Sequence, residues 1–202
     1  LCERMEELPD DRYALLPKAL PTVTPPARIV DFGHAECPTM LWTKVAPAWS
    51  AEPWATITVC NWSQHPVERE VALGAVPFLA GRPRLAVMEL VTQSYIGLRS
   101  GEQSVRVTVP PHGCRVLRVA AWDGASPILL GTDGHFSGGA AEIDSLDLQA
   151  DQVNGTLGWA WNVPLGLTLG LPDGDRLIPQ RIELASGQRG FMLPLETELR
   201  MS

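Results

Sequence analysis

Proline and glycine recur along the whole chain, with 18 of each among 202 residues. Proline lacks the backbone N–H that a helix interior needs, and glycine weakens a helix, so this distribution disfavours long helices. Between these residues apolar and polar side chains alternate, as Val105, Val107 and Val109 do with Arg106 and Thr108. A period of two is typical of a half-buried strand. The sequence therefore predicts an all-β fold built from short antiparallel strands.

A tight turn is predicted directly after these valines, in the stretch PPHGCRVLRVAAW that ends at Trp122. Pro110 and Pro111 cannot donate ladder hydrogen bonds, and Gly113 is free to take a positive φ, so the chain should reverse here. The apolar run that begins at Cys114 should then be a strand, and we expect it to form a hairpin with the valine strand. This hairpin would close a first β-domain, and the following DGASP would link it to a second.

The sequence divides into three parts where its pattern changes. Residues 1–27 hold the only helical spacing and a proline-rich connector, residues 28–122 hold one series of short strands, and residues 123–202 hold another. Strands at such spacing are typical of a sandwich. We therefore predict two consecutive antiparallel β-sandwich-like domains, the second a smaller sandwich or barrel, preceded by a short helix.

The predicted helix lies within residues 1–20, where Leu16 and Leu20 are four residues apart and Pro17 should kink or end it. A β-rich chain offers this helix no helical neighbour. We interpret it as the tail of a domain that precedes it in a longer polypeptide. The stretch has no basic region followed by an apolar one, so no signal peptide is predicted in it.

Charge and hydropathy disfavour two classes of partner. The net charge is -7, and we find no cluster of lysine and arginine longer than a pair, so no nucleic-acid partner is expected. No apolar run approaches the roughly 18 residues of a membrane span, so no membrane partner is expected either.

The search for catalytic and metal-binding motifs yields no complete set. His112 and Cys114 are two residues apart, but a zinc site needs a third and fourth ligand, and no second pair has ligand spacing. Cys60 and Cys114 lie in apolar strand patterns, which favours buried free thiols, although disulfides remain open. Cys2 and Cys37 complete the cysteines. We predict no metal site, no cofactor and no catalytic residue in this chain.

One polar cluster could serve general acid and base chemistry. Asp133, His135 and Glu142 lie close together in GTDGHFSGGAAEI, and a histidine with two carboxylates can exchange protons if the three converge. An aspartate in Gly-Thr-Asp-Gly most often fixes a turn through its own backbone. We therefore favour a structural role for this cluster.

Tryptophan is unusually frequent. Flat indole faces stack on sugar rings, but they also fill hydrophobic cores. Trp159 and Trp161 share a predicted strand face with Leu157 and Val163, which favours the core. Trp49 and Trp54 lie in a proline-rich loop and are the better candidates for exposure and carbohydrate binding. The seven tryptophans are Trp42, Trp49, Trp54, Trp62, Trp122, Trp159 and Trp161.

The order of several segments resembles the C-terminal region of α-galactosidase (melibiase) type glycoside hydrolases. The resemblance extends from Leu8 to about Ile143 and fades afterwards. Its most specific features are the strand that ends at Asn61-Trp62, the Pro-Pro-His-Gly turn and the Gly-Thr-Asp-Gly-His stretch. The segments are LPDDRYALLPKALP, ITVCNWSQHPVEREVAL, VMELVTQSYIGL, VPPHGCRVLRV and PILLGTDGHFSGGAAEI.

The resemblance implies a division of labour. In that family a (β/α)₈ barrel carries both catalytic aspartates, and a β-sandwich follows it, so both carboxylates would precede Leu1. The chain would then be a non-catalytic accessory region that braces the barrel of the same polypeptide. The alternatives are a carbohydrate-binding module, which requires two exposed tryptophan faces on one surface, and a domain for protein contacts, which requires a broad apolar patch.

Overall fold

The structure is a computed structural model. It describes residues 14–20, 22, 24–31, 33, 37–158 and 163–195. Strands dominate these residues, and all the strand pairs that join them into four sheets are antiparallel. The helical segments within the described ranges are α1 (Leu16–Ala19) and a 3₁₀ turn at Leu73–Ala75. The predicted all-β fold is confirmed.

The strands follow the predicted series closely. They are β1 (Arg28–Ile29), β2 (Met40–Val45), β3 (Trp54–Cys60), β4 (Val67–Ala72), β5 (Leu85–Glu89), β6 (Ser94–Arg99), β7 (Ser104–Val109), β8 (Cys114–Ala121), β9 (Ile128–Thr132), β10 (Ile143–Leu148), β11 (Gln152–Leu157), β12 (Leu165–Asp173), β13 (Arg176–Leu184) and β14 (Gly190–Pro194).

A six-stranded sheet with the order β1-β2-β3-β8-β5-β6 is the largest of the four sheets. β4 and β7 form a two-stranded sheet on one of its faces, and the three-stranded sheet β13-β12-β9 covers the other. The remaining sheet, β10-β11-β14, packs on the outer face of β12. Among the described residues, four hydrophobic clusters fill the spaces between these layers.

Burial on both faces explains the sequence of β5. Leu85 and Val87 pack towards β4 and β7, whereas Ala86 and Met88 pack towards β9 and β13. All five residues of the strand are buried. A strand covered on both sides has no polar face, so its sequence is a nearly continuous apolar run.

The predicted hairpin of β7 and β8 is wrong. β7 pairs with β4, and β8 lies between β3 and β5 in the other sheet, so the Pro-Pro-His-Gly segment crosses from one sheet to the other. Prolines cannot donate the N–H groups that would continue a ladder, which suits such a crossing. His112, rather than Gly113, takes the positive φ, at 47°.

The two halves that the sequence separates after Trp122 share a hydrophobic cluster. Val116 and Trp122 from the first half pack with Leu130 and Leu177 from the second. The connecting segment is a tight turn, since the carboxylate of Asp123 accepts hydrogen bonds of 2.8 Å from two of the backbone N–H groups that follow it. The second half therefore packs directly on the first.

Two local predictions are wrong, and others concern residues outside the described ranges. Pro17 is in the first turn of α1, where a missing N–H costs no helical hydrogen bond, so it neither kinks nor ends the helix there. Val163 is 60% exposed and β11 ends at Leu157, so these two residues do not share a core-facing strand. Residues 1–13 of the predicted helix, and Trp159 and Trp161, lie outside the described residues.

Candidate docking site around Trp62

The structure buries one of the two tryptophans that were expected to be exposed. Trp54 is only 1% exposed, because it begins β3 and the loop after β9 covers it. Its Nε1 donates a hydrogen bond of 2.9 Å to the carbonyl of Ser137. Trp49 is half-buried, with its ring centroid 5.6 Å from that of Trp54. The expected exposure of Trp54 is therefore wrong, and carbohydrate binding at Trp49 and Trp54 stays a prediction.

Trp62, which the sequence does not indicate as a binding residue, is 56% exposed. Its Nε1 donates a hydrogen bond of 2.8 Å to the carbonyl of Pro38, which fixes one edge of the indole. Asn61 and Ser63 flank it just after the end of β3. Both residue types favour turns, and an aromatic side chain between them is the signal that could have identified this position.

An open cavity of about 500 Å³ lies beside Trp62. Leu15 and Pro111 contribute apolar surface to it, while His112 and Arg115 contribute polar groups. The ends of β3 and β8 and the Pro-Pro-His-Gly turn form its wall. The arrangement offers a mainly apolar surface with a few polar groups at its edge, which suits contact with a protein segment or an amphipathic ligand.

The buried side chain of Asn61 holds this wall together. Its Nδ2 lies 2.8 Å from the carbonyl of His65, 3.1 Å from that of Val109 and 3.0 Å from that of Pro110, and it donates to all three. Its Oδ1 accepts hydrogen bonds from the backbone N–H and the hydroxyl of Ser63. One amide therefore ties the end of β7, the turn and the segment after β3 to one another.

The N-terminal segment lies against the same region of the molecule. Leu15 lines the cavity, and the carbonyl of Lys18 in α1 accepts a hydrogen bond of 2.8 Å from the N–H of Phe136. Phe136 belongs to the loop between β9 and β10. The segment that contains α1 is thus placed between Trp62 and this loop.

The three residues of the predicted cluster, Asp133, His135 and Glu142, make separate contacts among the described residues. Asp133 accepts a hydrogen bond of 2.8 Å from the N–H of Gly166 and forms a 2.5 Å ion pair with Arg181. His135 Nδ1 accepts a hydrogen bond of 3.0 Å from the N–H of Ser137. Glu142 is completely buried. These contacts, which join the loop after β9 to β12 and β13, are those of the structural role favoured from the sequence.

Burial controls the ionisation of Glu142. Removal from water raises its pKa to about 7, although its hydrogen bond with the Thr132 hydroxyl opposes this shift. The second carboxyl oxygen, Oε2, is buried without a partner among the described residues. Burial therefore keeps this carboxyl group protonated to a higher pH than an exposed glutamate.

Arg118 is another buried ionisable group of this region. Its Nη1 donates to the carbonyls of Leu129 and Leu130, and its guanidinium lies 4.2 Å from the ring centroid of Trp54. Burial lowers its pKa to about 9, so the group stays charged at neutral pH. A Cβ on Gly138 would lie 2.6 Å from Arg118 Cδ, which explains a glycine in this loop.

No group of three or more histidine, cysteine, aspartate or glutamate side chains with metal-binding geometry occurs in the described part of the chain. His112 and Cys114 both line the cavity beside Trp62. Cys60 and Cys114 are half-buried rather than fully buried, and they face each other across β3 and β8. Within the same ranges, no helix has the length and apolarity needed to span a membrane.

Comparison with known proteins gives matches among solved structures only. No family model matches the sequence, and no curated protein matches it. α-Galactosidase I from Mortierella vinacea is 16% identical over 46% of this chain and 23% of its own, with a TM-score of 0.35. A putative α-N-acetylgalactosaminidase from Bacillus halodurans is 11% identical over 49% of this chain and 21% of its own, with a TM-score of 0.37.

A GH27 β-L-arabinopyranosidase from Geobacillus stearothermophilus is 12% identical over 50% of this chain and 20% of its own, with a TM-score of 0.34. The chain thus spans about a fifth to a quarter of the length of each of these structures. The solved structures similar to this chain include members of the enzyme class that its sequence resembles, α-galactosidase-like glycoside hydrolases.

Proposed function

We propose that this chain is a non-catalytic accessory region of a larger α-galactosidase-like glycoside hydrolase, in which it braces a catalytic barrel that precedes it in the same polypeptide. The surface that contacts the barrel is the groove formed by Trp62, the Pro-Pro-His-Gly turn and the segment that contains α1. The order of sequence segments described above supports the enzyme class.

The observation that carries the proposal is the position of residues 14–20. Leu15 lines the cavity beside Trp62, and Lys18 is hydrogen-bonded to Phe136 through its carbonyl. The described chain begins beside the groove, so this surface is within reach of a domain that precedes it. Trp62 offers that domain a large, exposed and partly fixed apolar face, the kind of side chain that dominates the energetics of protein interfaces.

Hydrolysis of aryl α-galactosides tests the accessory role. The purified 202-residue chain should release no aglycone, because no catalytic carboxylate is assigned to it, whereas the longer polypeptide with the barrel should release it. The coding sequence that precedes Leu1 gives the same test without an assay. Hydrolysis by the chain alone, or an initiator methionine directly before Leu1, would end this proposal.

Thermal inactivation of the longer polypeptide tests the bracing role. Trp62→Ala should shorten the half-life of hydrolytic activity roughly tenfold at a fixed temperature, because a buried interface tryptophan commonly contributes more than 1 kcal/mol. Met192→Ala, at a position in β14 that is 72% exposed, is the matched control and should leave the half-life unchanged. Equal half-lives for the two variants would contradict the proposed interface.

A second candidate function, carbohydrate binding, rests on one exposed indole face, that of Trp62, rather than on the two expected of a carbohydrate-binding module. An indole face beside a cavity with His112 and Arg115 could stack on a sugar ring while its hydroxyl groups contact the polar groups. Calorimetry with galactosides should then show binding to the isolated chain and its loss in Trp62→Ala. The two functions compete for one surface, so sugar binding that persists in the longer polypeptide would favour this candidate over the interface with the barrel.

Trp49→Phe and Trp54→Phe separate this site from the pair expected from the sequence. Both residues line an open cavity of about 260 Å³, and Trp49 also lines one of about 650 Å³, so sugar binding at them can be tested in the chain as it stands. Loss of binding in these two variants, with Trp62→Ala unaffected, would move the carbohydrate site to Trp49 and Trp54.

A further inference from the structure

Two half-buried cysteines face each other across neighbouring strands. Cys60 is the last residue of β3 and Cys114 is the first residue of β8, and the register of the antiparallel pair sets them directly opposite one another. Residues that are directly opposite in an antiparallel pair project their side chains to the same face of the sheet. The two thiols are therefore neighbours.

Backbone hydrogen bonds identify the type of this cross-strand pair. The N–H of Asn61 donates to the carbonyl of Gly113 at 2.9 Å, whereas the N–H of Cys60 donates to Thr39 in the opposite direction at 2.8 Å. Hydrogen-bonded and non-hydrogen-bonded pairs alternate along such a ladder, so Cys60 and Cys114 form a non-hydrogen-bonded pair. The Cα atoms of such pairs are about 4.5 Å apart, at the short end of the range that a disulfide spans.

The surroundings of the pair give an oxidant access to both sulfur atoms. Cys60 and Cys114 line the open cavity beside Trp62. Burial raises the pKa of both thiols, and the nearby Cys114 sulfur raises that of Cys60 further, so thiolate attack should become faster as the pH rises. Cys37 is exposed and lies outside the strands, so it does not share this geometry.

We propose that Cys60 and Cys114 are a redox pair that closes a cross-strand disulfide when the chain meets a small-molecule disulfide oxidant. One thiolate attacks the oxidant and releases one reduced thiol, which leaves a mixed disulfide on the protein. The second thiolate then attacks the protein sulfur of this mixed disulfide and releases a second reduced thiol. Two protein thiols lose two protons and two electrons, and the oxidant takes up both.

The disulfide would cross-link the wall of the cavity. It joins the ends of β3 and β8 next to the Pro-Pro-His-Gly turn and closes a loop between residues 60 and 114. A cross-link of this span lowers the entropy of the unfolded chain and stabilises the folded one. The inference depends on the register of two strands and does not depend on the proposed accessory role.

Thiol counting on a simplified chain tests the redox pair. In the variant Cys2→Ser/Cys37→Ser, only Cys60 and Cys114 remain. After incubation with oxidised glutathione, the count of free thiols should fall from two to zero, and the intact mass should be lower by two hydrogen atoms. Digestion without reductant should yield one peptide pair linked through Cys60 and Cys114, and the midpoint of thermal unfolding should rise by about 5 °C or more.

Single-thiol variants provide the control. With Cys60→Ser or Cys114→Ser added, the remaining thiol should give only a glutathione adduct or stay free, and the thermal midpoint should not rise. Two free thiols after oxidation of the two-cysteine variant, one glutathione on each cysteine, or a disulfide between two molecules would each overturn the proposal.

Discussion

One face of the six-stranded sheet packs on an apolar core, whereas the other combines an apolar cluster with a polar junction. Towards β4 and β7 lies an apolar core, which is the cluster that includes Leu117, Val119 and Val107. Towards the loop after β9 lies a polar junction, which we define as Trp54, Arg118, Thr132, Ser137 and Glu142. Leu117 and Arg118 are adjacent in β8, so one strand serves both regions.

The difference shows two ways to attach one layer to another. The apolar core gains free energy from the area removed from water, and it tolerates changes that keep volume. The polar junction buries groups that lose hydration, and each must be repaid by a correctly placed partner. We infer that the apolar core mainly supplies stability, whereas the junction fixes the position of the second half of the chain relative to the first.

Leu117→Ala should give the largest effect on the apolar core. The side chain is fully buried, so its truncation should lower the free energy of unfolding by about 4 kcal/mol through lost burial and a residual cavity. Urea unfolding followed by circular dichroism measures the change. Met192→Ala, on the exposed side of β14, should change stability by less than about 0.5 kcal/mol. A loss at Leu117 as small as this would show that the apolar core does not support the sheet.

The ionisation of Glu142 should make the junction pH-dependent. Its pKa is about 7 in the folded chain, whereas the ordinary value of 4.5 applies to the unfolded chain. Between pH 4.5 and pH 7 the folded chain therefore keeps a proton that the unfolded chain releases. Stability is therefore lost as pH rises from about 4.5 to 7, and this loss from Glu142 amounts to about 3 kcal/mol. Urea unfolding of the wild type and of Glu142→Gln at pH 5 and pH 8 measures it.

Glu142→Gln should remove this loss, because glutamine keeps an acceptor for Thr132 but does not titrate. Between pH 5 and pH 8, Glu142→Gln should therefore lose less stability than the wild type. Glu183→Gln, at an exposed position in β13, is the control. Identical pH profiles for the wild type and Glu142→Gln would mean that the carboxyl is hydrated and that the junction is open.

One substitution at two adjacent positions contrasts the regions directly. Leu117→Met keeps volume in the apolar core and should cost about 1 kcal/mol or less. Arg118→Met leaves two carbonyls without their donor and removes the contact with Trp54. Because removal of the buried charge offsets this loss only in part, we expect the free energy of unfolding to fall by about 2 kcal/mol. Equal stabilities in urea would erase the distinction between the two regions.

The sequence predicts the apolar core better than the junction, for a physical reason. The alternation of Val105, Val107 and Val109 reports the period of a strand with one buried face, and the structure buries all three. The alternation carries no information about which strand pairs with which, so the sequence predicts a pair of β7 and β8 where the structure pairs β7 with β4. Sheet pairing over long distances is set by the packing of whole layers, which leaves little local trace.

The candidate site was predicted less well because exposure depends on tertiary contacts. Trp54 and Trp62 both lie near an end of β3, but the loop after β9 covers the first and leaves the second in solvent. Similarly, the sequence places Cys60 and Cys114 in strands but does not give their register. The structural role favoured for Asp133 agrees with its contacts, since a turn preference is local and is encoded by neighbouring residues.

The smallest effect should come from the edge of the junction, where one hydrogen bond can be removed alone. Trp54→Phe keeps an aromatic ring beneath Arg118 but loses the Nε1 donor to the Ser137 carbonyl, so it should cost about 1 kcal/mol. Trp49→Phe is a matched control, because the Trp49 Nε1 has no partner among the described residues and its loss removes no hydrogen bond there. Urea unfolding of the two variants and faster amide exchange in the loop after β9 of Trp54→Phe measure the difference. If both variants unfold like the wild type, the Trp54 bond does not hold the loop, and Arg118 must position it instead.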